Sequence, residues 1–127
     1  MMIVDAVGTC AFCGQTQVLR ASDVLSQAEI DDMATRDCIC TEARKSRAME
    51  ELETSIGTAL GADCLGAGMD YQVEDDEIEE VRRLGEKIWN GNIREATMVE
   101  RWGDTIKLRR KDNRILLTRI HRKQIQL

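Results

Sequence analysis

Between Glu42 and Leu60, the apolar residues Met49, Leu52, Ile56 and Leu60 recur at helical spacing along an otherwise charged segment. The same period returns between Asp76 and Asn90. There Ile78, Val81, Leu84 and Ile88 form a stripe beside Trp89, and Asn90-Gly91 supplies a stop. A shorter helix over residues 27–36 is predicted by the capping box Ser26-Gln-Ala-Glu29, with Leu25 and Ile30 at staple positions. Thr41 stands where it can cap the long helix, and Arg47 precedes Glu51 by one turn as a surface pair. Gly61, Gly66 and Gly68 make residues 61–72 a loop. From Ala96 the period changes to two, which predicts strands over Ala96–Trp102, Thr105–Arg110 and Arg114–Ile120, joined by Gly103-Asp104 and Lys111-Asp-Asn113. Short extended pieces, Met2-Ile3-Val4 and Gln17-Val18-Leu19, flank a cysteine-bearing turn. The expected class is α+β, with an N-terminal finger, three helices and a C-terminal three-stranded antiparallel meander. Residues 1–60 form a finger lobe with the long helix. Residues 61–127 form an acidic helix plus a basic meander, the two making one compact unit.

The finger rests on two close cysteine pairs, Cys10-Ala-Phe-Cys13 and Cys38-Ile-Cys40. A tetrahedral thiolate cage takes two ligands from each tight turn, so the four sulfurs read as one structural zinc site. Gly14 suits the position after the first pair, where a knuckle favours positive φ. Cys40 precedes the long helix, whose N-terminal partial charge favours the thiolate. A redox Cys-x-x-Cys and inert thiols are the competing readings. The redox motif usually opens a helix, whereas here the strand-like Gln17-Val18-Leu19 follows. Disulfides fit poorly with an odd count of five cysteines and a start without a secretory pattern. Cys64 is the spare, read as a small buried apolar residue.

Composition sharpens the role of the metal. Aromatic residues are 3% of the 127, namely Phe12, Tyr71, Trp89 and Trp102, so the core must be aliphatic. A structural zinc, worth on the order of 10 kcal/mol in small peptides, would then be an important staple. No run approaches the length of a membrane span, and the chain is expected to be cytoplasmic. The net charge of −5 is unevenly spread. From Arg101 onward nine Lys and Arg face only Asp104 and Asp112, a balance of +7, which leaves −12 for residues 1–100. Such polarity suggests distinct partners for the two ends, or attraction between them.

The Cys10–Gly14 knuckle, the helix leading to Cys38 and Cys40, the charged Thr41-Glu-Ala-Arg-Lys45 start, the acidic helix and the basic strands together resemble small zinc-ribbon-like proteins encoded by bacteriophages and prophages. The knuckle and following helix are also similar to a treble-clef finger, which usually carries Cys-x-x-Cys as its second pair. The resemblance implies zinc and a phage ancestry, with the host cytoplasm as location, and no particular reaction.

Four cysteine ligands close a zinc site, leaving no position for water or substrate, so catalysis by this metal is not expected. No His-x-Glu deaminase signature, Gly-rich phosphate loop or Ser elbow is present, and the lone His121 lies in the basic Arg119-Ile-His-Arg-Lys123. The expected function is non-enzymatic, by macromolecular contact, with nucleic acid or a host protein as partner and with neither a small-molecule substrate nor a membrane. Lys107, Arg109, Arg110, Arg114 and Arg119 are the candidate contacts to phosphates. The alternative is an inhibitor of a host or defence protein, anti-CRISPR-like or a nucleic-acid mimic. It would present Glu74, Asp75, Asp76, Glu77 and Glu80 to a basic groove.

Overall fold

A computed structural model describes residues 2–121; the basic Arg122 and Lys123 lie outside the described residues. The chain forms two compact units, Met1–Arg47 and Ala48–Leu127. The boundary falls inside the long helix rather than at residue 60. The physical reason is that the stripe Ala48, Leu52, Ile56 and Leu60 belongs to the core of the second unit, whereas the helix start belongs to the cysteine cluster of the first.

The first unit opens with a hairpin, β1 (Ile3–Thr9) and β2 (Thr16–Ser22), paired antiparallel from Ile3 opposite Ser22 to Thr9 opposite Thr16. Both strands are longer than the extended pieces expected from sequence. Helix α1 (Gln27–Asp37) follows, and its N-terminus is built as predicted. The Ser26 side chain accepts from the Glu29 amide while the Glu29 side chain accepts from the Ser26 amide. Ile30 and Ala34 are its buried positions, and α1 packs on β1 at Gly8. A Cβ on Gly8 would stand 2.7 Å from the Ile30 carbonyl oxygen and 2.9 Å from the Ala34 Cβ. Only glycine permits that approach.

The second unit takes the remainder of α2 (Thr41–Ala59), then α3 (Asp75–Trp89) and a sheet of β3 (Glu95–Val99), β4 (Thr105–Lys111) and β5 (Arg114–Ile120). The sheet is the expected antiparallel meander in the order β3-β4-β5. Its core joins Leu52, Ile56 and Leu60 of α2, Ile78, Val81, Ile88 and Trp89 of α3, and Ile106, Leu108 and Ile115 of the sheet. Helix α3 ends in a Schellman arrangement. The Asn92 amide bonds the Lys87 carbonyl (3.0 Å), the Gly91 amide bonds that of Ile88 (3.1 Å), and Gly91 sits at φ +81°.

β3 stops three residues before the expected Trp102 because Glu100 turns inward. Its carboxylate accepts from the backbone amides of Trp102 (3.0 Å) and Asp104 (2.7 Å) and from the Tyr71 hydroxyl (2.5 Å). Beside it Asp104, 2% exposed, pairs with Arg119 at 2.9 Å. The Arg119 side chain is 1% exposed. It also donates to the carbonyls of Ala59 (2.8 Å) and Tyr71 (3.2 Å) and lies 4.6 Å from the Tyr71 ring centroid. One guanidinium thereby ties the end of α2, the 61–72 loop and β5 together. Burial and the hydrogen bond to Glu100 push the Tyr71 hydroxyl up to about 12, so it stays a donor at neutral pH.

Removing one partner of a buried ion pair leaves the other uncompensated. Arg119→Leu is therefore expected to destabilise the second unit by about 3–5 kcal/mol. Chemical denaturation of the full chain measures this, with the exposed Lys107→Ala as a near-neutral control.

Candidate metal centre and basic sheet face

The four cysteines of the finger converge. Their sulfurs all lie within 4.8 Å of one another, a set that can hold one metal ion. Cys10 Sγ is 3.8 Å from Cys40 Sγ, and Cys13 Sγ is 3.6 Å from Cys38 Sγ. A tetrahedron with metal–sulfur bonds of about 2.3 Å has edges of about 3.8 Å, so the spacing fits an S4 site and is far too long for disulfides. Tetrahedral thiolate sets take zinc or iron. The fifth thiol, Cys64, belongs to the second unit, where it is fully buried and donates to the Tyr71 carbonyl at 3.2 Å.

Local structure explains each ligand. At the knuckle, the Gly14 amide bonds the Cys10 carbonyl and the Cys10 amide bonds the Gln15 carbonyl, both at 3.0 Å, with Gly14 at φ +73°. The second pair has one intervening residue because it joins two helix ends. Cys38 is the C-cap of α1, and Cys40 immediately precedes α2, leaving only Ile39 between them. The cap of α2 differs from the expectation for Thr41. Cys40 fills that role: its carbonyl accepts from the Arg44 amide (3.0 Å), and its sulfur accepts from the Ala43 amide (3.3 Å).

Three supporting residues carry no signal in the cysteine spacing. Asp31 of α1 accepts from the Thr9 amide (3.0 Å), and Thr35 Oγ1 accepts from the Ala11 amide (2.9 Å), so α1 holds the knuckle on both sides of Cys10. Arg47 donates to the Cys38 carbonyl (2.9 Å) and to that of Arg36. It braces the α1 end instead of pairing with Glu51, whose carboxylate is taken by Arg114 at 2.9 Å.

Without metal the thiols titrate unequally. Amide hydrogen bonds, the one from Cys13 foremost, lower Cys10 to about 6. The Gln15 amide pulls Cys13 down, but desolvation and the neighbouring sulfurs outweigh it and push that thiol up to about 11. Cys40 shows the same contest. The Ala43 amide favours the thiolate, as expected at a helix start, yet desolvation, Cys38 and Cys10 raise its pKa overall. Only a cation can hold several thiolates at this spacing.

The five basic candidates are divided between two faces of the meander. In β4, Ile106 and Leu108 are buried while Lys107, Arg109 and Lys111 are exposed. Lys107 and Arg109 therefore share the outer face, where Lys107 stands between Thr97 and Thr118, and Arg109 between Glu95 and Leu116. Among the described residues, Lys107, Arg109 and Lys111 have no ion-pair partner. Arg114 is exposed but engaged with Glu51. The two remaining candidates are engaged within their own unit. Arg110 is exposed, but its guanidinium lies 3.9 Å over the Trp89 ring centroid and donates to the Trp89 carbonyl (2.8 Å). Arg119 is the buried hub described above. Alternation along the strands separates these faces, and the ninefold count of basic residues conceals it.

The acidic candidates are largely used within their own unit. Asp76 and Glu77 clasp Arg101 (3.0 and 3.2 Å), and Glu80 pairs with Arg83 (3.3 Å). Glu79 and Glu53 both hold Arg82. Glu74 is the N-cap of α3 without a side-chain cap bond, and Asp75 follows as its first residue. His121 is half exposed, with Nδ1 3.5 Å from Asp104.

No protein-family model matches this chain, and neither a curated protein nor a solved structure does. Among the described residues, no helix is long and apolar enough to cross a membrane.

Zinc titration of the reduced protein is expected to saturate at one equivalent. Cys38→Ser should abolish tight uptake and loosen the first unit, while Cys64→Ser should leave stoichiometry unchanged; metal loss in the latter would overturn the ligand set. The pH dependence has a definite sign. Cys13 and Cys40 carry protons at pH 7 that metal must displace, so uptake releases at least two protons. Apparent affinity should therefore fall about a hundredfold or more per pH unit on acidification, and more steeply below about 6, where Cys10 also protonates. Competition titrations with a chromophoric chelator between pH 6 and 8 measure the slope.

Proposed function

We propose that the chain is a non-enzymatic binding protein, stapled by one structural zinc ion, whose meander contacts the phosphate backbone of nucleic acid. The cysteine cluster supports the first part. Four thiolates complete the tetrahedral shell of zinc, so the ion contributes cohesion to the first unit and leaves no open position for a substrate.

One observation carries the second part. Among the described residues, Lys107, Arg109 and Lys111 extend from a single strand without an ion-pair partner, whereas most other cations of the same unit are neutralised by carboxylates or carbonyls. Alternation places them at intervals of about 6.8 Å along the outer face. That arrangement offers point charges to a phosphate chain without calling for base-specific geometry. An acidic helix presented to a basic protein groove is less well supported, because Arg82, Arg83 and Arg101 already balance much of α3.

Three such contacts predict a modest salt slope, with log affinity against log salt falling by about 3 for duplex and about 2 for single strands. The double substitution Lys107→Glu with Arg109→Glu is expected to weaken binding of a labelled oligonucleotide at least tenfold at low salt, with zinc content unchanged. Unaltered anisotropy titrations would remove this face from the reading.

A further inference from the structure

The outer face of the meander ends at the β3–β4 turn, and that turn displays Trp102 to solvent at 57% exposure. With so few aromatic residues in the chain, an indole left outside the core is costly in apolar burial. The turn that carries it is nevertheless held by several hydrogen bonds. The Trp102 amide is held by Glu100 Oε2, the Asp104 amide by Glu100 Oε1, and Gly103 bonds back to the Glu100 carbonyl at φ +105°. Behind it, Glu100 is fixed by the Tyr71 hydroxyl, and Asp104 by the buried Arg119. A flexible turn would need none of this. The backbone under Trp102 is preorganised.

The row of the sheet next to this turn is also apolar and exposed on its outer side. Val99, Thr105 and Ile120 stand side by side, with Val99 67% and Ile120 42% exposed. The next rows bring Lys107 and then Arg109. The outer face therefore grades from an aliphatic end, next to the turn that carries Trp102, to a cationic end. A duplex presents phosphates on its outside and keeps its base faces stacked. A single strand presents phosphates and free base faces together, and it is the ligand that matches both ends of this surface.

We infer that the outer face of the meander binds single-stranded nucleic acid, with a base stacked on Trp102 and the backbone running over Lys107 and Arg109. This rests on the reading of that face as a phosphate contact, and the experiment separates the two. A labelled 15-nucleotide strand, as DNA and as RNA, and the 15-base-pair duplex of the same sequence are titrated with the zinc-loaded full chain. Trp102→Ala is expected to weaken single-strand binding about tenfold and leave duplex binding unchanged. Trp102→Phe should recover most of the loss. Indole quenching on strand binding should vanish in both variants, because the remaining Trp89 is buried beneath Arg110. Either sugar bound tightly by the wild type supports the inference, and the preference between them names the source. An unchanged Trp102→Ala titration, or an equal loss on duplex, overturns the stacking while Lys107→Glu with Arg109→Glu still tests the phosphate contact. Failure of the wild type to bind any of the three overturns both.

Discussion

A core assembled almost without aromatic side chains must be closed by something other than apolar bulk, and both units answer that constraint with a polar cluster. In the first, the packed residues around the cysteines are few and small, and four sulfurs lie close enough for one metal ion to tie them together. In the second, the aliphatic stripes of α2 and α3 meet the inner face of the sheet. The ends of these elements are gathered by Arg119, Asp104, Glu100 and Tyr71. A charged network of this kind adds little net stability over an apolar equivalent, but its loss in part is severe. Its geometric effect is to hold a turn and three chain segments in one arrangement.

The cysteine cluster shows how metal chemistry and helix chemistry share the same atoms. Cys38 ends α1 and Cys40 caps α2, so the direction of each helix is coupled to the position of a ligand. The Ala43 amide that caps the helix also stabilises the thiolate needed by a metal, while crowding by other sulfurs opposes it. Asp31, Thr35 and Arg47 then fix the backbone on which the ligands sit. Such outer contacts decide whether four thiols meet at a tetrahedral spacing or merely lie near one another.

On the meander, the same buried network that closes the core sets up the outer surface. Glu100 bends the chain inward after β3, which removes its own charge from solvent and holds the Trp102 turn in place. Arg110 and Arg119 are engaged within the unit, so the described cations without an ion-pair partner are fewer than the C-terminal charge balance suggests. The exposed positive charge is correspondingly local, a single strand's worth on the outer face of the meander.

Much of this protein was legible from the order of its residues. Helical periods at Leu52, Ile56 and Leu60 and at Ile78, Val81 and Ile88, the Ser26–Glu29 box and the alternation of β4 are local patterns, and local patterns are governed by backbone geometry and side-chain period. The two cysteine pairs were legible for the same reason, since each lies within one turn. Only the tertiary structure decided that Cys40 and not Thr41 caps α2, that Arg47 braces the α1 end, and that the Arg119 side chain is buried while Lys107 is exposed. Those outcomes depend on which groups long-range packing brings together. A guanidinium reads identically in sequence whether it meets water or a buried carboxylate, and desolvation, which separates the two, exists only once the chain has folded.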